Sequence, residues 1–334
     1  MKAVVFERFG EPKEVLQVRD VPLPEPAAGE VRVRMKMSPI NPSDMMTVRG
    51  QYGRLPNMPA TPGYEGVGVI DKAAPGWLAK LRGLKPERRV AVLNARGGNW
   101  AEYVVVSARQ AVPVPDDLPD DQVAAFFVNP ATAIVMTQHV LQVQRGSWLL
   151  QTGAGSALGR MVIRLGKELG FRTINIVRRK ELAGELKAIG GDEVLSTADD
   201  KIAARVKEIT GGAMVPCALD CIGGPGVVDV LQSLAPLGRL LVYGTLSNEP
   251  IPLDPRLLMG GQRAIEGFWL SEWAPQQGVL RMIGLFRQIT SLMRAGVLTT
   301  PVAATYTLDQ LPQAIERVDQ PARGGKILLK ISDV

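Results

Sequence analysis

The segment Thr152-Gly-Ala-Gly-Ser-Ala-Leu-Gly159 is the strongest chemical signal in the sequence. An apolar run, Trp148-Leu-Leu-Gln-Thr152, leads into it. Leu158, Val162, Leu165 and Leu169 lead out of it at helical spacing. Small residues let such a turn be tight and bring backbone N–H groups up to a pyrophosphate at the start of a helix. The spacing G-x-G-x-x-x-G is one residue longer than the usual dinucleotide fingerprint. The strand before, the helix after and the further strand beyond favour a phosphate loop over a close-packed structural turn. That next strand, Thr173-Ile-Asn-Ile-Val177, runs into Arg178-Arg179-Lys180. A sheet that binds NAD places Asp or Glu there to bond the ribose 2′-hydroxyl, whereas two guanidiniums and an ammonium suit a 2′-phosphate. Three cations at a helix start oppose the helix dipole, which argues for a functional reason over a solvated charge run. The expected cofactor is NADPH.

Other reactive side chains are few. Tyr52 sits in a Gly/Pro-rich stretch over residues 50–59, and such loops carry site residues on a rigid scaffold. A phenol with a pKa near 10 is protonated at neutral pH and can donate a proton; an amphipathic loop anchor is the alternative. Asn41, before Pro42, is either a hydrogen-bonding group for substrate or cofactor or a turn former. His139 is the single histidine, which excludes a multi-histidine metal site and weakens any Ser-His-Asp reading. It lies on an expected helix and reads as structural. Cys217 and Cys221 cannot form a disulfide framework and read as small buried hydrophobes in a reducing compartment.

The elements that must position these residues change character along the chain. Up to about residue 123, short strands are broken by Pro, Gly and Asp. Val31-Arg-Val-Arg-Met-Lys-Met37 alternates with period two, and residues 66–70, 89–93 and 102–106 are further strands, which suggests a barrel or sandwich. From about 122 to 267 the rhythm is strand–helix–strand, as in a parallel sheet covered on both faces. A long helix over 279–295, short strands, a helix over 308–318 and the strand Lys326-Ile-Leu-Leu-Lys330 complete the chain. The 334 residues suit about two domains. Hydrophobic residues at 46% and charged residues at 22% exclude a disordered or low-complexity protein. No run approaches the ~18 apolar residues of a membrane helix. No signal or transit segment is evident before the strand at Lys2, so the expected location is cytoplasmic. A net charge of +6, from 39 bases among 33 acids, fits anionic small molecules and not a nucleic-acid groove.

With these residues in view, the whole chain resembles the zinc-free branch of the medium-chain dehydrogenase/reductase superfamily. Ser38-Pro-Ile-Asn-Pro-Ser-Asp44, Gly50-Gln-Tyr-Gly-Arg-Leu-Pro56, Phe127-Val-Asn-Pro-Ala-Thr132, Arg172-Thr-Ile-Asn-Ile-Val-Arg178 and Gly267-Phe-Trp-Leu-Ser-Glu-Trp273 resemble mitochondrial-type trans-2-enoyl thioester reductases. The Asn-Pro-Ser segment is shared with NADPH:quinone oxidoreductases. The resemblance implies an α/β fold with a GroES-like β-barrel catalytic domain (1–123 and 268–334) and a Rossmann doubly wound domain (124–267). It implies that Tyr52 is the catalytic tyrosine. It implies cofactor contacts from Asn129, from Gly155, Ser156, Ala157 and Leu158, from Tyr243, Gly244, Thr245 and Leu246, from Phe268, Trp269, Leu270 and Ser271, and from Lys326. Asn129 also reads as an N-cap before Pro130. Asp44 and Tyr64 stand where the zinc branch has its first two ligands. Tyr64 is a poor ligand and no thiolate is within reach in sequence, so no metal is expected. The implied activity is NADPH-dependent reduction of an enoyl thioester; the alternatives are a quinone reductase and a non-catalytic nucleotide-binding protein. The expected partners are a small-molecule substrate and a second copy in a homodimer, with no nucleic acid and no membrane.

Overall fold

A computed structural model describes residues 1–320 and 324–332. The chain divides into two units, Met1–Val128 with Thr299–Val334, and Asn129–Leu298.

The first unit is antiparallel for most of its length. β1 (Lys2–Val5) pairs with β2 (Gln17–Asp20). β3 (Glu30–Pro39) is the central strand, with β4 (Glu65–Ala73) continuing to β5 (Arg89–Leu93) and β7 (Ala111–Pro113), and with β6 (Tyr103–Ser107) also on β3. Along β3 the residues Val31, Val33 and Met35 are fully buried, as period-two alternation requires. They pack with Ile70, Val90, Val92 and Val104 in one apolar cluster. Among the helices between its strands, Pro42–Val48 and Trp77–Leu81 show no periodic pattern in the sequence because both are short.

The second unit holds six strands: β8 (Trp148–Gln151), β9 (Arg172–Val177), β10 (Glu193–Ser196), β11 (Val215–Asp220), β12 (Leu234–Val242) and β13 (Ala264–Gly267). All pairs are parallel, in the order β10-β9-β8-β11-β12-β13. The strand–helix alternation read from the sequence is therefore present, with the doubly wound order it implies. The helix Ala157–Leu169 buries Leu158, Val162 and Leu165 against the sheet. His139 is half-buried, stacks on Trp273 and meets Arg281, which is a structural role.

The chain then returns to the first unit as β14 (Val302–Thr307) and β15 (Lys326–Lys330), which are parallel to each other, with β15 antiparallel to β3. The return comes at residue 299 and not at 268. The helix Val279–Arg294 stays with the parallel sheet: Gln288 bonds Gln138 at 3.0 Å, and Arg164 donates to the Val297 carbonyl at 2.7 Å. The first boundary lies at 128 and 129, close to the expected 123.

Trp100 joins the sequence ends of the first unit. It is fully buried beside Val4, Ile40, Leu311, Ile315, Ile327 and Leu329, and its indole N–H donates to the Pro39 carbonyl at 3.3 Å. Trp100→Ala is expected to lower stability by about 3–5 kcal/mol. Urea unfolding that shows a loss below about 1 kcal/mol would mean that this cluster is not the keystone of the unit.

Candidate functional site

In the second unit the chain order leaves two strands, β9 and β10, on one side of β8 and three on the other. Loops from adjacent strands β8 and β11 therefore diverge, and a crevice opens at the carboxyl ends of the strands. The glycine loop sits there. Gly153 has φ +60°, and a Cβ on it would meet the Cys221 sulfur at 2.5 Å. Gly159 lies against the Ala154 backbone, where a Cβ would come within 2.7 Å. Between them, the Gly155 carbonyl accepts from Arg160 at 3.1 Å. Ser156 caps the helix by accepting the Gly159 N–H at 3.1 Å, with Ala157 and Leu158 opening the first turn. Unbonded N–H groups at such a helix start attract an anion. Asp220 holds the loop from the neighbouring strand: it accepts from the Thr152 hydroxyl at 2.6 Å and from the Gly223 N–H at 2.8 Å.

Arg178, Arg179 and Lys180 follow β9 at the same edge. All three are exposed, and their side chains form no ion pair or hydrogen bond among the described residues. Tyr243, Gly244, Thr245 and Leu246 follow β12; the Tyr243 N–H donates to the Asp220 carbonyl at 2.8 Å, and the Leu246 N–H to the Cys221 carbonyl at 3.1 Å. Phe268, Trp269, Leu270 and Ser271 follow β13, and the Phe268 N–H donates to the Val242 carbonyl at 2.8 Å. Four separate sequence segments thus meet along one sheet edge. A glycine cradle beside three uncommitted cations fits a dinucleotide that carries an extra phosphate. Asn129 lies inside the helix Val128–Ile134, one residue past its start, and so is not the N-cap that Pro130 suggests. Cys217 and Cys221 are free and buried, and burial pushes the Cys221 thiol up to about 11.

In the first unit, Tyr52 is half-buried in the loop after the helix Pro42–Val48. Its ring lies 5.8 Å from that of Tyr64. The Tyr64 hydroxyl shares a 2.5 Å hydrogen bond with Thr47, and burial pushes this phenol up to about 12. Asn41 starts the helix. It is 2% exposed, and both ends of its amide are committed: the nitrogen donates to Glu65 at 3.1 Å and the oxygen accepts from Lys326. Asn41 therefore braces the unit, with one bond at each end of its amide committed to Glu65 and Lys326. Lys326, expected at the cofactor, is buried and directs its ammonium at Asn41.

Sequence reasoning missed what this bracing serves. Glu65 is 1% exposed, and its second oxygen accepts from the Phe127 and Val128 N–H groups at 3.0 and 2.8 Å. Asp44 is fully buried and accepts from the Asn41 N–H at 2.7 Å and the Tyr64 N–H at 3.2 Å. The signal was present in the sequence: both acids stand beside apolar or small residues that must fold inward. Asp44 and Tyr64 occupy the expected ligand positions of a zinc site, yet their oxygens are turned to backbone N–H groups and to Thr47. No three metal-ligating side chains converge among the described residues. This donor set does not fit zinc.

Comparison with known proteins bears on both units. Residues 27–116 match the family of the alcohol dehydrogenase GroES-like domain, and residues 157–284 match the zinc-binding dehydrogenase family. The mitochondrial enoyl-[acyl-carrier-protein] reductase of Rattus norvegicus is 34% identical over 96% of this chain and 86% of its own length. The Homo sapiens protein of the same name is 32% identical over 98% and 88%. A Bacillus thuringiensis structure, described as a candidate NADPH:quinone reductase, superposes with TM-score 0.93 at 32% identity over 99% of each chain. A mycobacterial protein solved with NADPH superposes with TM-score 0.88 at 27% identity, over 99% of this chain and all of its own.

The buried acids set a pH dependence. Burial pushes the Asp44 carboxyl up to about 7, and the Glu65 charge adds to the shift. An aspartate in an unfolded chain titrates near 3.9. The native state then holds this proton more tightly, so stability falls as pH rises from about 4 to about 7, by up to ~4 kcal/mol, and levels off above. Asp44→Asn should flatten that slope in urea unfolding, whatever it does to absolute stability. An equally steep slope in the variant would assign the titration to another group.

Proposed function

The chain belongs to the medium-chain dehydrogenase/reductase superfamily, and we propose that it uses NADPH to reduce the activated carbon–carbon double bond of a trans-2-enoyl thioester. It is an NADPH-dependent oxidoreductase. One observation carries the cofactor: the glycine cradle and the unpaired Arg178, Arg179 and Lys180 share one edge of the parallel sheet. The substrate reading is supported by the relatives named enoyl-[acyl-carrier-protein] reductase and by the loop phenol Tyr52.

Bound NADPH supplies the hydride that reaches the β-carbon. The chain's own residues do the rest. Backbone N–H groups at the start of the helix Ala157–Leu169 hold the pyrophosphate, and the three cations hold the 2′-phosphate. The segments at 243–246 and 268–271 continue that seat along the sheet edge, and Asn129 contributes from its helix. As charge develops on the thioester oxygen, hydrogen-bond donors stabilise the enolate. Tyr52 then gives its phenolic proton to the α-carbon as general acid. Asn41 and Lys326 act as positioning residues that keep the helix before Tyr52 anchored to β4 and β15.

A quinone is the second reading, favoured by the match to the Bacillus thuringiensis structure. Quinone reduction takes protons onto oxygen from solvent and needs no acid at a specified carbon. The open edge strand β13 and the exposed Leu237 and Met259 support a homodimer, which light scattering would test. No helix among the described residues is long and apolar enough to cross a membrane. A cytoplasmic location belongs to this proposal and is open to cell fractionation; the curated relatives carry the word mitochondrial in their names.

Steady-state NADPH oxidation with crotonyl-coenzyme A, a longer enoyl thioester and a benzoquinone separates the two readings. Tyr52→Phe should cut enoyl-thioester turnover ~10²–10⁴-fold, with NADPH affinity unchanged and quinone reduction nearly so. An unchanged enoyl rate in the folded variant would move the assignment to quinone reduction. Replacing Arg178 and Arg179 with Ala should raise KM for NADPH by roughly ten- to a thousandfold, about 1.4–4 kcal/mol, and leave that for NADH alone. Equal use of NADPH and NADH by the parent protein would defeat the phosphate assignment.

A further inference from the structure

The helix Trp77–Leu81 turns two large apolar side chains to solvent. Trp77 is 75% exposed and Leu81 74%, and at a spacing of four they share one helix face. The segment is not loosely attached. Ala79 and Leu84 are 4% exposed and belong to the apolar cluster under β3, and the Arg82 guanidinium donates to the Ala108 and Arg109 carbonyls at 2.6 and 3.2 Å. A groove of about 580 Å³ runs beside the helix, lined chiefly by Ala73, Pro75, Trp77, Ala79 and Leu84. Lys80 and Lys85 line it too, and Arg88 follows three residues on; all three are exposed and none has a side-chain partner among the described residues. Within residues 74–88 the one acid is Glu87.

We propose that this groove is a docking surface for an acidic, amphipathic helix on a partner protein. An apolar centre built on an exposed tryptophan, inside a rim of unpaired cations, has the anatomy of a protein interface, with the aromatic as anchor and the charges as guides. The concavity argues against a lipid surface. A bilayer presents no ridge to fill a groove, whereas a helix presents apolar side chains at three- and four-residue spacing along one stripe. Acidic residues flanking that stripe would face Lys80 and Lys85. The surface stands apart from the reductase reading and survives its failure.

The test uses the full chain and two labelled peptides of 18 residues. One carries leucines at helical spacing among glutamates and aspartates; the other has the same composition shuffled to remove the stripe. Fluorescence anisotropy should show micromolar binding of the first and at least tenfold weaker binding of the second. Trp77→Ala should weaken binding about 30-fold, with unchanged thermal midpoint and NADPH oxidation. The triple variant K80E/K85E/R88E should weaken it similarly and abolish its salt dependence. Equal binding of both peptides, binding indifferent to Trp77→Ala, or no binding at all would overturn the proposal. So would absent peptide binding together with Trp77-dependent sedimentation on phosphatidylglycerol vesicles, or with Trp77-dependent self-association in light scattering.

Discussion

A buried ammonium organises the first unit. Lys326, on the strand that returns last to this unit, donates to the side-chain carbonyl of Asn41, which in turn donates to Glu65. Glu65 passes the connection on to the backbone at Phe127 and Val128. Residues almost three hundred positions apart in sequence are thereby held in one chain of polar contacts. Burying charge is costly unless each charge is paired and hydrogen-bonded. Here one cation, Lys326, faces two carboxylates, and Asp44 has two backbone N–H bonds besides. Burial still raises its proton affinity, and the Glu65 charge adds to the rise. The arrangement favours a single geometry for the helix Pro42–Val48, because any shift would strand an ionised group away from water.

The second unit answers to a different constraint, that of the parallel sheet. When every strand runs the same way, every strand-to-helix loop falls on one edge, whatever the sequence distance between loops. That is why residues 153–158, 178–180, 243–246 and 268–271 gather along one edge although they lie far apart in sequence. Only the loop itself needs special residues. Gly153 needs a positive φ, and Gly159 needs to lack a side chain against Ala154. The rest of the edge can vary in chemistry, and here it carries three exposed cations.

These two constraints explain what was legible in the sequence. The strand–helix rhythm of the second unit could be read for the most part, because period and punctuation are local properties, although the edge strand Ala264–Gly267 was not. The strand over 89–93 and the helix start at Ser156 were equally local. The helix Pro42–Val48 was not, since seven residues give too few turns for a period to register. The return at 299 was missed because nothing in the helix Val279–Arg294 says which sheet it packs on; that depends on Gln138 and Arg164, far back in the chain. Lys326 and Asn41 were read singly, as a cofactor lysine and a turn asparagine. Their partnership is a tertiary fact that neither residue's neighbours disclose. The outward direction of Trp77 and Leu81 is likewise visible only in the fold.

The positions that would carry zinc show how one scaffold changes chemistry without changing shape. Asp44 keeps an oxygen ligand at the helix start, but both its oxygens accept backbone N–H groups. Tyr64 fills the next position with a phenol locked to Thr47. Freeing either for a metal would leave buried donors unpaired, at roughly 1–3 kcal/mol each. The polar groups of this region are therefore committed to holding a loop. That loop carries Tyr52, whose ring rests beside Tyr64 at 5.8 Å. A scaffold that elsewhere offers a metal here offers a positioned phenol, and a phenol is suited to giving a proton to carbon. The same bonds that commit Asp44 and Tyr64 to the protein's own groups thus set the place of the Tyr52 phenol.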